Sequence, residues 1–182
     1  MNCWKSVNLR KENNTTKMTI MSVGFSFLTF MFTFLIFSSL QPETQLKGIG
    51  LEVLLLIMLM IYPLHSILHA VPLWMIGIAT TWKFDRDRRK QLPVIKYSFS
   101  KPVSRNMYVI AMISPFIILG TASIAGAVLM PGYMHYFLII FSLNSGMALH
   151  DFAFIRQLVR APKHCTVERK LDGMDIVLKQ PS

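Results

Sequence analysis

Four apolar blocks, residues 18–40, 51–80, 107–130 and 133–158, constrain this chain more than any other feature. Each is at least as long as the roughly 20 residues an α-helix needs to cross a hydrocarbon core about 30 Å thick. Lipid offers backbone N–H and C=O groups no partner, so a crossing segment must bond within itself and is expected to be helical. Outside the blocks the chain is short and polar. The expectation is an all-α integral membrane protein with four transmembrane helices in one membrane domain, residues 1–182. Between and after the spans lie a cytoplasmic loop at 81–106 and a cytoplasmic tail at 159–182. Charged residues are only 15% of the chain, against about 25% in soluble domains. The first block lacks a small-x-small cleavage site and reads as a retained span rather than a signal peptide.

Side assignment follows from the basic residues. Of 19 Lys and Arg, Lys47 alone falls in a connection on the far side, between the first and second spans. Short loops rich in Lys and Arg stay in the cytoplasm, so both termini and the long loop are expected there, in a multi-pass protein of the cell membrane. The net charge of +10 therefore reads as attraction to anionic lipid. No basic domain interleaved with aromatics is present to hold a polynucleotide, which argues against nucleic acid as partner. Cys3 and Cys165 have no CxxC spacing and imply no disulfide framework.

Pro63 and Pro72 inside the second block would break a soluble helix, but membrane helices carry such residues as kinks. Small residues Gly120, Ala122, Ser123, Ala125, Gly126 and Ala127 allow a close helix contact along the third span. Beyond the spans, residues 165–178 read as a β-hairpin with an Asp172-Gly173 turn. Residues 94–99 read as a strand, and a small cytoplasmic sheet near the site is expected.

Ionisable groups at membrane depth are costly and mark candidate sites. The second span holds His65 and His69, and the fourth holds His150 and Asp151. Residues four apart share a helix face, so the two histidines can hold one metal ion. At 1.5 Å per residue they lie about 21 and 27 Å below the outer end of their span, and His150 and Asp151 lie about 26–27 Å down theirs. Two His and one Asp arriving at one depth are ligand types that suit zinc. A plainer reading fits the same residues: the histidines bond to neighbouring helices, and Asp151 pairs with Arg156. Glu52 and His135 sit at span ends, where polarity costs little.

The segments Asn2-Cys-Trp-Lys-Ser, Pro63-Leu-His-x-x-x-His-Ala and Ser104-Arg-Asn…Ser114-Pro, together with the Asp151 span and the basic Asp-Gly tail, carry a resemblance. Over nearly its whole length the chain resembles small bacterial (Bacillus-type) membrane proteins of unknown function classed as zincin peptidases. It is distantly similar in plan to site-2-type intramembrane metalloproteases. The resemblance implies zinc as cofactor, His65 and His69 as ligands, Asp151 as the third, and His150 as the alternative third. It also departs from the zincin pattern, in which Glu follows the first His as general base. Here Ser66 follows His65, and a hydroxyl is no base near neutral pH. Glu52 is 13 residues away, about 20 Å along a helix. The residues assign no catalytic group. Three functions stay open: a metal-binding peptidase relative, weak or inactive, that engages membrane-embedded protein segments; a structural or regulatory membrane protein without metal; and a small transporter or proton pathway.

Overall fold

The structure, a computed structural model, describes residues 2–7, 15–85, 94–99, 101–160, 165–170 and 173–178. In chain order the elements are β1 (Asn2–Val7), α1 (Thr15–Leu40), α2 (Leu51–Leu68), α3 (Val71–Met75), β2 (Thr80–Asp85), β3 (Val94–Phe99), β4 (Val103–Ser104), α4 (Arg105–Leu129), a 3-10 turn (Pro131–Tyr133), α5 (Met134–Val159), β5 (Cys165–Lys170) and β6 (Gly173–Leu178). Four helical segments, with α2 and α3 forming one of them, are long and apolar enough to cross a membrane. The protein is an all-α integral membrane protein with a small β element.

The second span is one crossing made of two helices. Pro63 lies inside α2, and Pro72 opens α3. Proline is tolerated in a first turn because its missing N–H has no intrahelical partner there. It cannot, however, bond to the carbonyl four residues back. That carbonyl belongs to Leu68, and it accepts instead from the Ser114 hydroxyl on α4 at 2.7 Å. The break between α2 and α3 is thus fastened to α4. Gly77, at φ 74°, then turns the chain from α3 toward β2, in a conformation that costs glycine nothing.

Helices α4 and α5 form an antiparallel pair closed by the Pro131–Tyr133 turn. Gly120 and Gly126 lie against the rings of Phe141 and Phe137, and Ser123 and Ala127 are buried, while Ala122 and Ala125 are exposed. Close approach therefore uses only part of the small-residue stripe. The loop after α1 is strapped across this end: the Lys47 N–H donates to the Gly132 carbonyl at 2.8 Å, and the Ile49 N–H to the Tyr136 hydroxyl at 3.0 Å. Ala127, Met134 and Leu138 are buried here beneath Phe30, Phe34 and Phe37 of α1.

Helix α1 meets α5 most tightly at Gly146. A Cβ placed there would collide with Ser26 Oγ and come within 2.7 Å of the Ser22 carbonyl. At Gly24, on α1 itself, a Cβ meets nothing within 4 Å. We expect Gly146→Ala to destabilise the fold by about 1–3 kcal/mol, the usual range for overpacking. Gly24→Ala should be neutral or stabilising by up to about 1 kcal/mol, from helix propensity alone. Unfolding in mixed micelles compares the two, and equal stability of both variants would refute the close α1–α5 crossing.

The β element caps the other end. Strands run in the order β1-β6-β5-β4, all antiparallel, and β2 pairs with β3 in a second, two-stranded sheet. The expected tail hairpin is present, with Lys170 opposite Gly173; the Leu171-Asp172 part of its turn lies outside the described residues. The expected strand 94–99 is β3. Three strands were not anticipated: β2, in the residues directly after the second span; the short β4, which pairs with β5; and β1, which joins the first residues of the chain to the last strand. That pairing puts the two ends of the chain on one face of the bundle. Val103, Cys165 and Val167 are buried against Leu73, Tyr108, Ala111, Met112 and Leu158, so the larger sheet docks where α3, the start of α4 and the end of α5 meet. Its burial there pushes the Cys165 thiol up from its ordinary value.

Candidate metal centre

One helical turn brings His65 and His69 together. Their ring centroids are 5.1 Å apart and the planes nearly perpendicular, at 87°. Both residues are buried, and α5 supplies Asp151 opposite them. His65 Nε2 lies 3.0 Å from Asp151 Oδ2, and His69 Nε2 lies 3.3 Å from Asp151 Oδ1. Each imidazole therefore faces its own carboxylate oxygen. The donor atoms of the three residues all lie within 4.8 Å of one another.

The outer nitrogens decide what the inner ones carry. Asn144, fully buried on α5, has its amide nitrogen 3.3 Å from the carbonyls of both Pro115 and Phe116. That fixes the amide orientation, so its Oδ1 faces His65 Nδ1 at 2.8 Å and accepts a proton from it. His69 Nδ1 sits 2.8 Å from the Ala111 carbonyl, which can only accept. Both rings thus carry hydrogen on Nδ1. In a neutral imidazole, Nε2 is then a bare lone pair.

Two lone pairs aimed at a carboxylate at these distances repel unless something positive lies between them. Two protons would do so, making both rings imidazolium. One divalent cation would do so as well, and either way the buried group carries one net positive charge. A cation satisfies all three residues with a single particle. Two nitrogens and one carboxylate are a zinc-type donor set that leaves a fourth position for water or substrate, and the Nδ1–H bonds to Asn144 and Ala111 are the outer support that metal-binding histidines use. The residues fit the metal.

His150 is turned elsewhere. Adjacent helical residues point about 100° apart, and its ring meets Ser22 of α1, with Nδ1 3.1 Å from the hydroxyl. Of the two candidates for third member of the group, the structure brings Asp151 to the histidines and leaves His150 at the α1 contact. Arg156 is exposed. His135 lies against Tyr136, ring centroids 4.0 Å apart and planes tilted by 42°, in the first turn of α5 and remote from the group. Ser66 is half-buried beside His65, and among the described residues the group holds no second carboxylate. Sequence reasoning passed over Asn144 and the Ala111 carbonyl. Asn144 could have been found: it is seven residues, two helical turns, before Asp151 and so on the same face.

Residues 58–166 match the model of a family described as "putative zincin peptidase". The matched stretch is more than half of the 182-residue chain and contains His65, Ser66, His69, Asn144 and Asp151. No curated protein and no solved structure matches significantly. The chain belongs to the family of putative zincin peptidases.

Proposed function

We propose that this protein is a zinc-binding membrane protein of zincin type, held in the cell membrane with both termini in the cytoplasm, whose hydrolytic power is weak or lost. The observation that carries the reading is the convergence of His65, His69 and Asp151 with both Nδ1 atoms already engaged. His65 Nε2, His69 Nε2 and the Asp151 carboxylate would hold the ion. Zinc bound there would supply Lewis-acid polarisation of a carbonyl group or of water. The residues around it supply the rest. Asn144 and the Ala111 carbonyl orient the rings, and the helices exclude bulk water from the three buried ligands.

The missing part is the base. With Ser66 beside His65 and Asp151 engaged by both imidazoles, no free carboxylate among the described residues of the group can take a proton from water. Binding of protein segments is therefore favoured over fast cleavage. Membrane-embedded segments are the partners this reading assigns. The site is built on membrane-spanning helices, and an open groove of about 490 Å³ lined by Phe116, Ile117, Gly120, Thr121, Ile124 and Phe141 runs along α4 close to Asn144. Orientation is supported by the basic residues and by β1 pairing with β6, which needs both ends on one side.

The test is metal content after purification in detergent without chelators. Near-stoichiometric zinc is expected in the wild type, lost on dialysis against a chelator, regained on adding zinc, and absent from His65→Ala. A wild-type protein that stays metal-free in zinc-replete buffer would leave the histidines as packing or relay groups and sink the proposal.

A further inference from the structure

In a helix the carbonyl of one residue accepts the N–H four residues on. For Ala111 that residue is Pro115, which has no N–H to give. Both residues are fully buried, so the freed oxygen has no water to turn to and must find a protein donor. His69 Nδ1 is one, 2.8 Å away, and the Ser114 hydroxyl lies 2.9 Å away with a single proton to share. The same hydroxyl is 2.7 Å from the Leu68 carbonyl, which Pro72 has freed on the facing helix. Two prolines on two helices thus open two carbonyls toward each other, with Ser114 between them and His69 on one.

We propose that Pro115 is a positioning residue of the metal centre: by leaving the Ala111 carbonyl without its helical partner, it provides the acceptor that holds the His69 Nδ1 proton and aims Nε2 at Asp151. The inference rests on the zinc reading for its consequence, though the hydrogen bond itself does not. A proline serving only to kink α4 would have no effect on His69. Restoring an N–H at position 115 gives the Ala111 carbonyl back its helical donor, in direct competition with His69, and straightening of the helix draws the oxygen back toward its axis. The His69 bond is the one that yields, because a side chain can turn away while the helix backbone cannot.

The experiment uses the whole protein in detergent and the variant Pro115→Ala. Zinc affinity, measured by chelator competition, is expected to weaken by about 10–100-fold, the usual effect of removing an outer partner of a metal-binding histidine. Thermal stability of the metal-free variant should equal or exceed that of the wild type, since alanine suits a helix interior better than proline. The second readout is the NMR signal of the His69 Nδ1 proton in metal-free protein, expected downfield and protected from exchange in the wild type and exposed in the variant. A wild-type affinity in Pro115→Ala together with an unchanged proton signal overturns the inference. Absence of that protected signal from the wild type overturns it without any variant. If the wild type binds no zinc but Pro115→Ala still exposes the His69 proton, the zinc reading fails and the positioning role stands.

Discussion

Asp151→Asn is expected to weaken zinc binding by at least about 100-fold, roughly 3 kcal/mol, while leaving the protein folded. The argument is one of charge and of donors. In the native group each carboxylate oxygen faces one imidazole, at 3.0 and 3.3 Å, and the negative charge is what makes a divalent ion tolerable at a buried position. Asparagine keeps the shape but removes that charge. It also replaces one acceptor by an NH₂ donor, which can bond directly to the lone pair of one neutral Nε2. The metal-free variant is therefore better satisfied than the metal-free wild type, and both effects push against the ion. Asp151→Ala would lose zinc too, but it strands both histidines in a buried pocket and confounds binding with stability. Chelator competition and thermal unfolding, run on the same preparation of Asp151→Asn, separate the two. Unchanged zinc affinity in that variant would mean that any metal sits elsewhere, and the grouping of His65, His69 and Asp151 would be helix packing.

The spans were legible because lipid leaves a chain little choice: a long apolar stretch must be a helix, and prolines and glycines only modulate it. The tail hairpin was legible because alternation and an Asp-Gly turn act over a few residues. Strand β1 was not, since its partner β6 lies at the other end of the chain and no local pattern encodes such a pairing. At the site, spacing alone put His65 and His69 on one face. Depth alone could not choose between His150 and Asp151, which differ by one residue in height but by about 100° in direction. The choice depends on where α1 lies, and Ser22 meeting His150 beside the Gly146 crossing shows that α1 covers that side of α5. The Ala111 carbonyl was the least legible part, because a backbone atom has no residue signature. Its only trace in the sequence is Pro115, four residues later, which entered the sequence reading only within the Ser114-Pro stretch and not as the release of an acceptor.

Ser66→Glu is expected to raise peptide hydrolysis by about 10²–10⁴-fold, the range that a positioned general base contributes. Position 66 follows His65, where the zincin pattern places its carboxylate, and Ser66 is half-buried rather than sealed in the core. Glutamate has two more side-chain torsions than serine and can extend from the α2 face toward the group without displacing His65. The ion and its ligands are untouched by the change, so zinc affinity should stay within about a factor of ten. The assay is cleavage of fluorogenic reporters with an apolar membrane-inserted segment, in liposomes, comparing the wild type, Ser66→Glu and the double variant Ser66→Glu/His69→Ala. Activity that appears with the glutamate and vanishes with the histidine makes the native chain a zincin that lost only its base. Ser66→Glu protein that folds, holds zinc and cuts none of the reporters faster than the wild type places the deficit beyond one side chain.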